Sequence, residues 1–354
     1  MLDNVLTGVP EIEMTPNPSP KVPTLAEVAA AAGVSAMTVS RALNDQRGVS
    51  RKTRDAIVRM ASEMGYVTNR VAQKLSSGQS RVIGVLADHL DNPFISSLVT
   101  GVVRAAAAVD NEVLIYSLVD HQKRPPVKVL RLLQQFTDGV VALLPYEFGF
   151  VEALAEGHMP VVTIDNPSKH PGLPSVAADS YDGARKAISH LAELGHKRIA
   201  FVSGAEQLES ARQRRRAYDD AVAILGLVRD PALVLKGNYT LESGRAAGEQ
   251  LLKLKKHPTA VFASNDLSAF GLMAVLQERG LRIPEDISVV GFDDLPAAAQ
   301  VHPALTTVRQ PIEDLGRAAV NTLLALIAGL SAASTQVTLP TELVVRQSTS
   351  RPKT

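Results

Sequence analysis

The chain has no cysteine, which excludes disulfides, thiolate nucleophiles and cysteine metal sites and fits a reducing compartment. Aromatic residues make up only 4% of it, leaving little material for sites that clamp a flat ring from above and below. No apolar run reaches the ~20 residues that cross a bilayer. The longest candidate, Ala318 to Leu330, is broken by Asn321, Thr322 and Gly329. The first 22 residues carry Pro10, Pro16, Pro18 and Pro20 among Asp3, Glu11 and Glu13, with neither the basic start nor the apolar centre of a secretion signal. We expect a disordered tail over 1–22 and a soluble, cytoplasmic protein. Enzyme signatures are missing as well: no G-x-G-x-x-G, no P-loop and no G-x-S-x-G. The eight histidines lack close metal-ligand spacing, and His196, within Leu194-Gly195-His196-Lys197-Arg198, reads as a surface or structural residue. No catalysis, metal or cofactor is expected.

What is present is globular, with 45% hydrophobic and 21% charged residues, and 354 residues suit a small module joined to a larger one. The net charge of +1 hides an uneven distribution. Between Pro23 and Ser80, eight bases (Arg41, Arg47, Arg51, Lys52, Arg54, Arg59, Arg70, Lys74) face four acids (Glu27, Asp45, Asp55, Glu63), a local net of +4. A basic module on a near-neutral body points to a polyanionic partner.

Within that module, Thr24-Leu25-Ala26-Glu27 fits a capping box and starts a helix over Leu25 to Ala32. Gly33 permits a sharp turn, Val34 plugs it, and Ser35 caps a second helix over Ala36 to Leu43. A third helix, capped by Ser50, runs from Arg51 to Met64 and closes a three-helix core with Ile57, Met60, Ala61 and Met64. In a helix-turn-helix the start of the second helix enters the major groove, which places Ala36, Met37 and Arg41 toward base edges. Arg41 can donate bidentately to guanine, whereas Ala36 and Met37 offer apolar contact, for instance to a thymine methyl. The plainer role for Arg41 is a phosphate contact.

The segments Thr24-Leu25-Ala26-Glu27-Val28-Ala29, Gly33-Val34-Ser35, Thr38-Val39-Ser40-Arg41-Ala42-Leu43-Asn44 and Gly65-Tyr66-Val67 resemble the lac repressor/gal repressor family of transcription regulators. Asn69-Arg70-Val71-Ala72-Gln73-Lys74-Leu75 looks like that family's hinge, helical on the operator, with Leu75 at the position that wedges into the minor groove. The resemblance implies DNA contacts from Thr24, Ser35, Thr38, Ser40, Asn44, Asn69 and Ala72 besides Ala36, Met37, Arg41 and Leu75. Without it, Leu75 would read as an ordinary linker leucine. The expected division is a helix-turn-helix domain over 23–68, a hinge over 69–80 and a two-lobed body over 81–350. Because one helix-turn-helix reads a short half-site, a homodimer on a pseudopalindromic operator is expected. No leucine heptad of a tetramer follows the last predicted strand.

From Arg81 onward apolar strand-like runs alternate with helical stretches: Val82 to Ala87, Val113 to Leu118, Gly139 to Leu144, Val161 to Ile164, Ile199 to Val202, Val234 to Lys236, Ala260 to Ala263 and Ile287 to Phe292. The alternation predicts an α/β body of two doubly wound parallel lobes. Resemblance to the family and to periplasmic sugar-binding proteins implies three crossings between lobes, near Asp179, Val308 and Leu339. Lobe 1 then holds about 81–179 and 309–338, and lobe 2 about 180–308 and 339–350.

In open parallel sheets ligands bind beyond the carboxyl ends of strands, where Asp165, Asn265-Asp266 and Asp293-Asp294 stand. The family resemblance implies an effector cleft lined by Asp165, Arg214, Asn265 and Asp293, with walls shaped by Asn92, Phe94 and Tyr239. Carboxylate, carboxamide and guanidinium groups can hold vicinal hydroxyls while an aromatic face covers C–H surface, so a sugar effector is expected. Plainer roles are a turn cap for Asp293 and an Asn-Asp turn for Asn265. The expected function is ligand-controlled, allosteric repression of carbohydrate-utilisation genes. The alternatives are a regulator responding to a nucleobase or phosphorylated metabolite and, from other classes, an enzyme or transport binding protein on the same scaffold.

Overall fold

A computed structural model describes residues 23–44, 46–66, 79–118, 125–143, 153–154, 156–157, 159–165, 173–330 and 336–353. The tail over 1–22, the hinge residues 69–78 and the site residues Asn69, Ala72 and Leu75 lie outside them. The chain divides into two units, Met1–Ser76 and Ser77–Thr354.

In the first unit local sequence sets the helix ends. Thr24 Oγ1 accepts from Glu27 N at 3.3 Å and Glu27 Oε2 accepts from Thr24 N at 2.7 Å, which starts α1 (Leu25–Ala32). Gly33 then turns the chain with φ 65°, a left-handed conformation that costs glycine nothing. Ser35 Oγ accepts from Thr38 N at 3.2 Å to cap α2 (Ala36–Leu43), and Ser50 Oγ accepts from Thr53 N at 3.2 Å to cap α3 (Arg51–Glu63). The core buries Val28, Ala29, Val39, Ala42, Ile57 and Ala61, with Val34, Met64 and Tyr66 packed around it. Met60, expected inside, is only half-buried and lies outside that cluster. Ile57, Ala61 and Met64 share the i, i+4, i+7 face, and Met60 sits at its margin.

Among the described residues, the second unit contains two six-stranded sheets. The first is built on β1 (Val82–Ala87), β2 (Glu112–Ser117), β3 (Gly139–Leu143), β4 (Val161–Ile164) and β5 (Ser175–Ala178), with α4 (Pro93–Ala107) and α5 (Pro126–Phe136) as crossovers. After Asp179 the chain enters α6 (Ser180–Glu193), which packs on the second sheet. That sheet takes β6 (Ile199–Val202), β7 (Val234–Leu235), β8 (Ala260–Ala263), β9 (Ser288–Asp293) and β10 (Thr306–Arg309), linked by α7 (Glu209–Ile224), α8 (Leu241–Leu252) and α9 (Asp266–Glu278). The chain then returns as α10 (Ile312–Ile327) against α4 and the first sheet. Two edge strands complete the pair, β11 (Gln336–Leu339) in the first sheet and β12 (Glu342–Val344) in the second. The orders are β11-β5-β4-β3-β1-β2 and β12-β10-β9-β8-β6-β7. Every pairing is parallel except β10 with β12.

Apolar strands covered on both faces explain the parallel sheets. Ile83, Val85, Val141 and Val162 pack on α4 and on Leu315, Ala319, Val320 and Leu323 of α10. A Cβ on Gly316 would lie 2.6 Å from the Gly101 carbonyl carbon, so the two glycines let α10 and α4 cross at backbone contact. β5, β10, β11 and β12 escape the sequence reading because they are short, and threonine, serine, glutamine and charged residues interrupt their apolar signal.

Candidate functional site

On the first unit, α2 exposes Ala36, Met37 and Arg41, with Met37 63% accessible. Arg41 stretches toward Gly48, a Cβ on which would lie 3.6 Å from Arg41 Nη1. The neighbouring polar groups hold the motif in shape: Thr24 and Ser35 cap helices, Thr38 Oγ1 lies 2.9 Å from Ser35 Oγ, and Asn44 Nδ2 donates to Ser40 Oγ at 3.4 Å. Arg47, Arg51 and Lys52 extend the exposed basic surface.

In the second unit, residues at and beyond the carboxyl ends of strands from both sheets surround one small cavity of about 40 Å³. Its lining includes all seven ligand residues expected from sequence: Asn92, Phe94, Asp165, Arg214, Tyr239, Asn265 and Asp293. Ile95, Leu208 and Ser210 also line it. Asn92 and Phe94 follow β1, Asp165 follows β4, Tyr239 follows β7, Asn265 follows β8, and Asp293 ends β9. Arg214 stands in the second turn of α7 rather than at a strand end.

Each polar group is fixed. Asn92 caps α4, accepting from Phe94 N at 2.9 Å, and Asn265 caps α9, accepting from Ser268 N at 3.0 Å. Asn265 is therefore both a cap and a cavity residue, and its Nδ2 donates to Tyr239 O at 3.0 Å. Asp165 reaches across from the first sheet to α7 on the second. Its carboxylate accepts from Ser210 N at 3.0 Å and from Ser210 Oγ at 2.5 Å. The residue before α7 is Leu208, which supplies no side-chain cap, so Asp165 does this from the other lobe. Asp293 Oδ1 accepts from Gln310 Nε2 at 2.7 Å, tying the end of β9 to the segment that leads back to α10.

Arg214 is buried, 3% exposed, with its guanidinium carbon 3.6 Å from the Phe292 ring centroid. Nη1 donates to Ser264 O at 2.6 Å and Nη2 to Ser180 Oγ at 3.3 Å. Both terminal nitrogens are thus engaged by the protein, and Nε has no partner. Two of the five guanidinium N–H groups are thus used within the protein and hold the side chain in one orientation. Burial pushes the Asp165 carboxyl above the usual range, against the pull of Ser210 and Arg214. Burial pushes Asp293 up to about 7, opposed by Arg214 and Gln310, and raises the Tyr239 hydroxyl. Asp266, buried behind Asp293, is raised by burial and by its neighbour's charge.

Backbone strain gathers here too. Among the described residues, seven non-glycines have positive φ, and Asp165 (57°), Tyr239 (71°) and Asp293 (128°) all line this cavity. Such conformations cost of order 1–3 kcal/mol each and persist where surrounding contacts impose them, as at ligand sites. Gly204 makes room for the Tyr239 ring, since a Cβ there would lie 2.2 Å from Tyr239 Cζ.

The sequence reading missed Ser210, Leu208 and Ile95 in the lining, and Ser180, Ser264, Phe292 and Gln310 behind it. Ser210 is the second residue of α7. His196 is a structural residue, buried between Thr259 Oγ1 at 2.8 Å and Ser350 O at 2.9 Å. Among the described residues there is no cluster of His, Cys, Asp and Glu fit to hold a metal, and no helix long and apolar enough to cross a membrane.

Residues 24–69 match the family model of bacterial regulatory proteins of the lacI family, and residues 188–349 match a periplasmic binding protein-like domain. The HTH-type transcriptional repressor CytR of Escherichia coli (strain K12) is 32% identical over 329 residues, covering 92% of this chain and 96% of the relative. The lac repressor dimer bound to operator and the anti-inducer ONPF superposes with a TM-score of 0.82 at 31% identity, covering 93% of this chain and 100% of that one. A complex of the transcriptional regulator CelR with cellobiose gives a TM-score of 0.71 at 32% identity, covering 92% and 99%. These relatives are regulators, not enzymes.

Proposed function

Because the chain belongs to the lacI family of bacterial regulatory proteins, we propose that it represses carbohydrate-utilisation genes from the cytoplasm, binding a pseudopalindromic operator as a homodimer whose affinity a sugar controls. The observation that carries this reading is the convergence of Asp165 from one sheet and Ser210, Arg214, Tyr239, Asn265 and Asp293 from the other on one cavity. Acceptor carboxyls beside Phe94, Leu208 and the Tyr239 ring suit a molecule with hydroxyls on its rim and C–H surface on its faces. The cellobiose complex of CelR supports a sugar, and the operator-bound lac repressor dimer supports the DNA and the second copy. Arg41, Met37 and Ala36 serve as the reading residues of a 23–68 DNA-binding domain, followed by a hinge over 69–80 carrying Leu75 and the body over 81–350.

The switch follows from Asp165. It bridges the lobes by capping α7, and the same carboxylate lines the cavity, so a ligand that engages it competes with Ser210 and favours a different lobe arrangement. A ligand shifts such an equilibrium only by its difference in affinity for the two states, on a scale of about 1–3 kcal/mol. The test begins with selection of the operator from random duplex DNA by the full chain, followed by titration of labelled operator with and without sugars. Arg214→Ala and Asp293→Ala abolish the sugar response. If the sugar is an inducer, they leave ligand-free affinity near wild type. If it is a co-repressor, they bind weakly throughout. A wild-type response in both variants overturns the assignment of the cavity.

A further inference from the structure

The cavity lies toward the carboxyl ends of the strands, and the chain enters the body at their amino ends. The link from the first unit joins the body at Gln79, Ser80 and Arg81, immediately before β1. Asp138 stands immediately before β3, the neighbour of β1 in the sheet. One carboxylate therefore meets the chain where the tether of the DNA-binding unit is attached.

The meeting is a built cradle. Asp138 Oδ1 accepts from Ser80 N at 2.8 Å and from Ser80 Oγ at 2.9 Å, while Oδ2 accepts from Arg81 N at 2.8 Å and shares Ser80 N at 2.9 Å. Amides and hydroxyls bond a carboxylate more strongly than a neutral acceptor. Ser80 is buried, and Arg81 is held at φ 54°, a left-handed conformation that persists where contacts impose it. Arg81 O accepts from Glu112 N at 2.9 Å, which joins the same turn to β2.

Asp138 is itself fixed from several sides. Thr137 N and Thr137 Oγ1 both donate to Leu133 O at 2.8 Å, closing the end of α5, and Asp138 N donates to Val82 O at 2.8 Å. A Cβ on Gly139 would lie 2.8 Å from Leu323 Cδ1 and 2.9 Å from Pro160 O, so α10 packs directly on the residue after Asp138. The register of β1 on β3 is set by the ladder that starts at Ile83 and Gly139. What the carboxylate adds is a hold on the two residues upstream of that ladder.

We propose that Asp138 is a positioning residue for operator binding: it fixes the point at which the tether leaves the body, and with it the separation at which two copies read their half-sites. This rests on the homodimer and paired half-sites proposed above. Without the cradle Ser80 and Arg81 join the tether and lengthen it by about 7 Å, at the ~3.3–3.6 Å that an extended residue spans. One base-pair step is only ~3.4 Å, so the loss is read as tolerance of a changed half-site spacing.

The full chain first selects its operator from random duplex DNA. Gel shifts then compare that operator with versions whose half-site spacing is one base pair longer or shorter, and with a version carrying one scrambled half-site at the selected spacing. The wild type prefers the selected spacing by about 30-fold or more. Asp138→Ala lowers that preference by about 5-fold or more, whereas its discrimination against the scrambled half-site stays within about 2-fold of wild type, because base contacts are untouched. A body that is merely less stable lowers the active fraction and scales every affinity together, so the spacing ratio separates positioning from stability. Asp138→Asn keeps one carbonyl acceptor and loses an intermediate amount. It carries the test if far-ultraviolet circular dichroism shows Asp138→Ala unfolded, and loss of fold in both makes Asp138 a residue of stability and overturns the proposal. An unchanged spacing ratio in a folded variant overturns it too, and leaves paired operator binding standing. A wild type without spacing preference overturns both readings.

Discussion

The Asp165–Ser210 bridge is open to a direct energetic test. Ser210→Ala removes one of its two hydrogen bonds, that from Oγ to Asp165 Oδ2 at 2.5 Å, and leaves the backbone donation at 3.0 Å in place. A hydrogen bond to a charged acceptor contributes about 1.5–3 kcal/mol, and a buried carboxylate oxygen left without its donor places the loss toward the upper end. Asp165→Ala removes both bonds and also puts alanine at φ 57°, adding strain unrelated to the bridge. A double-mutant cycle cancels that strain, because it appears in both Asp165→Ala arms. The expected coupling energy is about 1.5 kcal/mol or more, read from urea unfolding of the full chain followed by far-ultraviolet circular dichroism, since the chain has no tryptophan to report by fluorescence. The sum of the single effects then exceeds the double-mutant effect by that amount. Additivity within about 0.3 kcal/mol would mean that Asp165 does not hold the lobes through Ser210, and the competition assigned to the ligand would lose its basis.

Arg41→Ala costs about 1–3 kcal/mol of operator affinity and relaxes preference at one base pair per half-site. Equal weakening on operator and random DNA, in competition gel shifts, would make Arg41 a phosphate contact instead. Asp293, pushed up to about 7 from 3.8, binds a proton in the folded state that the unfolded chain has already released across that window. Its contribution to stability is therefore present at low pH and lost as pH rises toward 7. Asp293→Asn gains on the wild type between pH 4 and pH 7, with a limiting slope of about 1.4 kcal/mol per pH unit. The opposite trend from buried His190 and His196, whose ionisation burial depresses, is common to both proteins and cancels in the comparison. An unchanged difference across the range refutes the raised Asp293. Gly204→Ala forces the Tyr239 ring from its seat, costing about 1–3 kcal/mol by overpacking and at least 10-fold in effector affinity, whereas unaltered calorimetric binding would remove Tyr239 from the cavity wall.

The molecule is divided between units built on different rules. The first is short, basic and closed by its own capping residues. In the second, a cavity lies where two sheets meet, and a carboxylate from one lobe completes a helix of the other.

What the sequence alone determined is what neighbours in the chain decide. Thr24 with Glu27, Ser35 with Thr38 and Ser50 with Thr53 are three residues apart, so their caps and the helices they start were readable from spacing. β3, β6 and β8 were readable as apolar runs for the same reason, and strand ends followed by Asp or Asn marked much of the cavity lining. The family resemblance supplied Arg214 and the cavity roles of Asn92, Phe94 and Tyr239, which periodicity did not contain. Only the tertiary structure decided the rest. Asp165 meets Ser210 across 45 residues, Asp293 meets Gln310 across 17, and Arg214 finds Ser264 across 50. Those partners are set by how two sheets stack, and no local pattern encodes them. The polar edge strands β11 and β12 likewise exist through pairing with β5 and β10, because hydrogen bonds to a neighbour make a strand where burial is too slight to announce one.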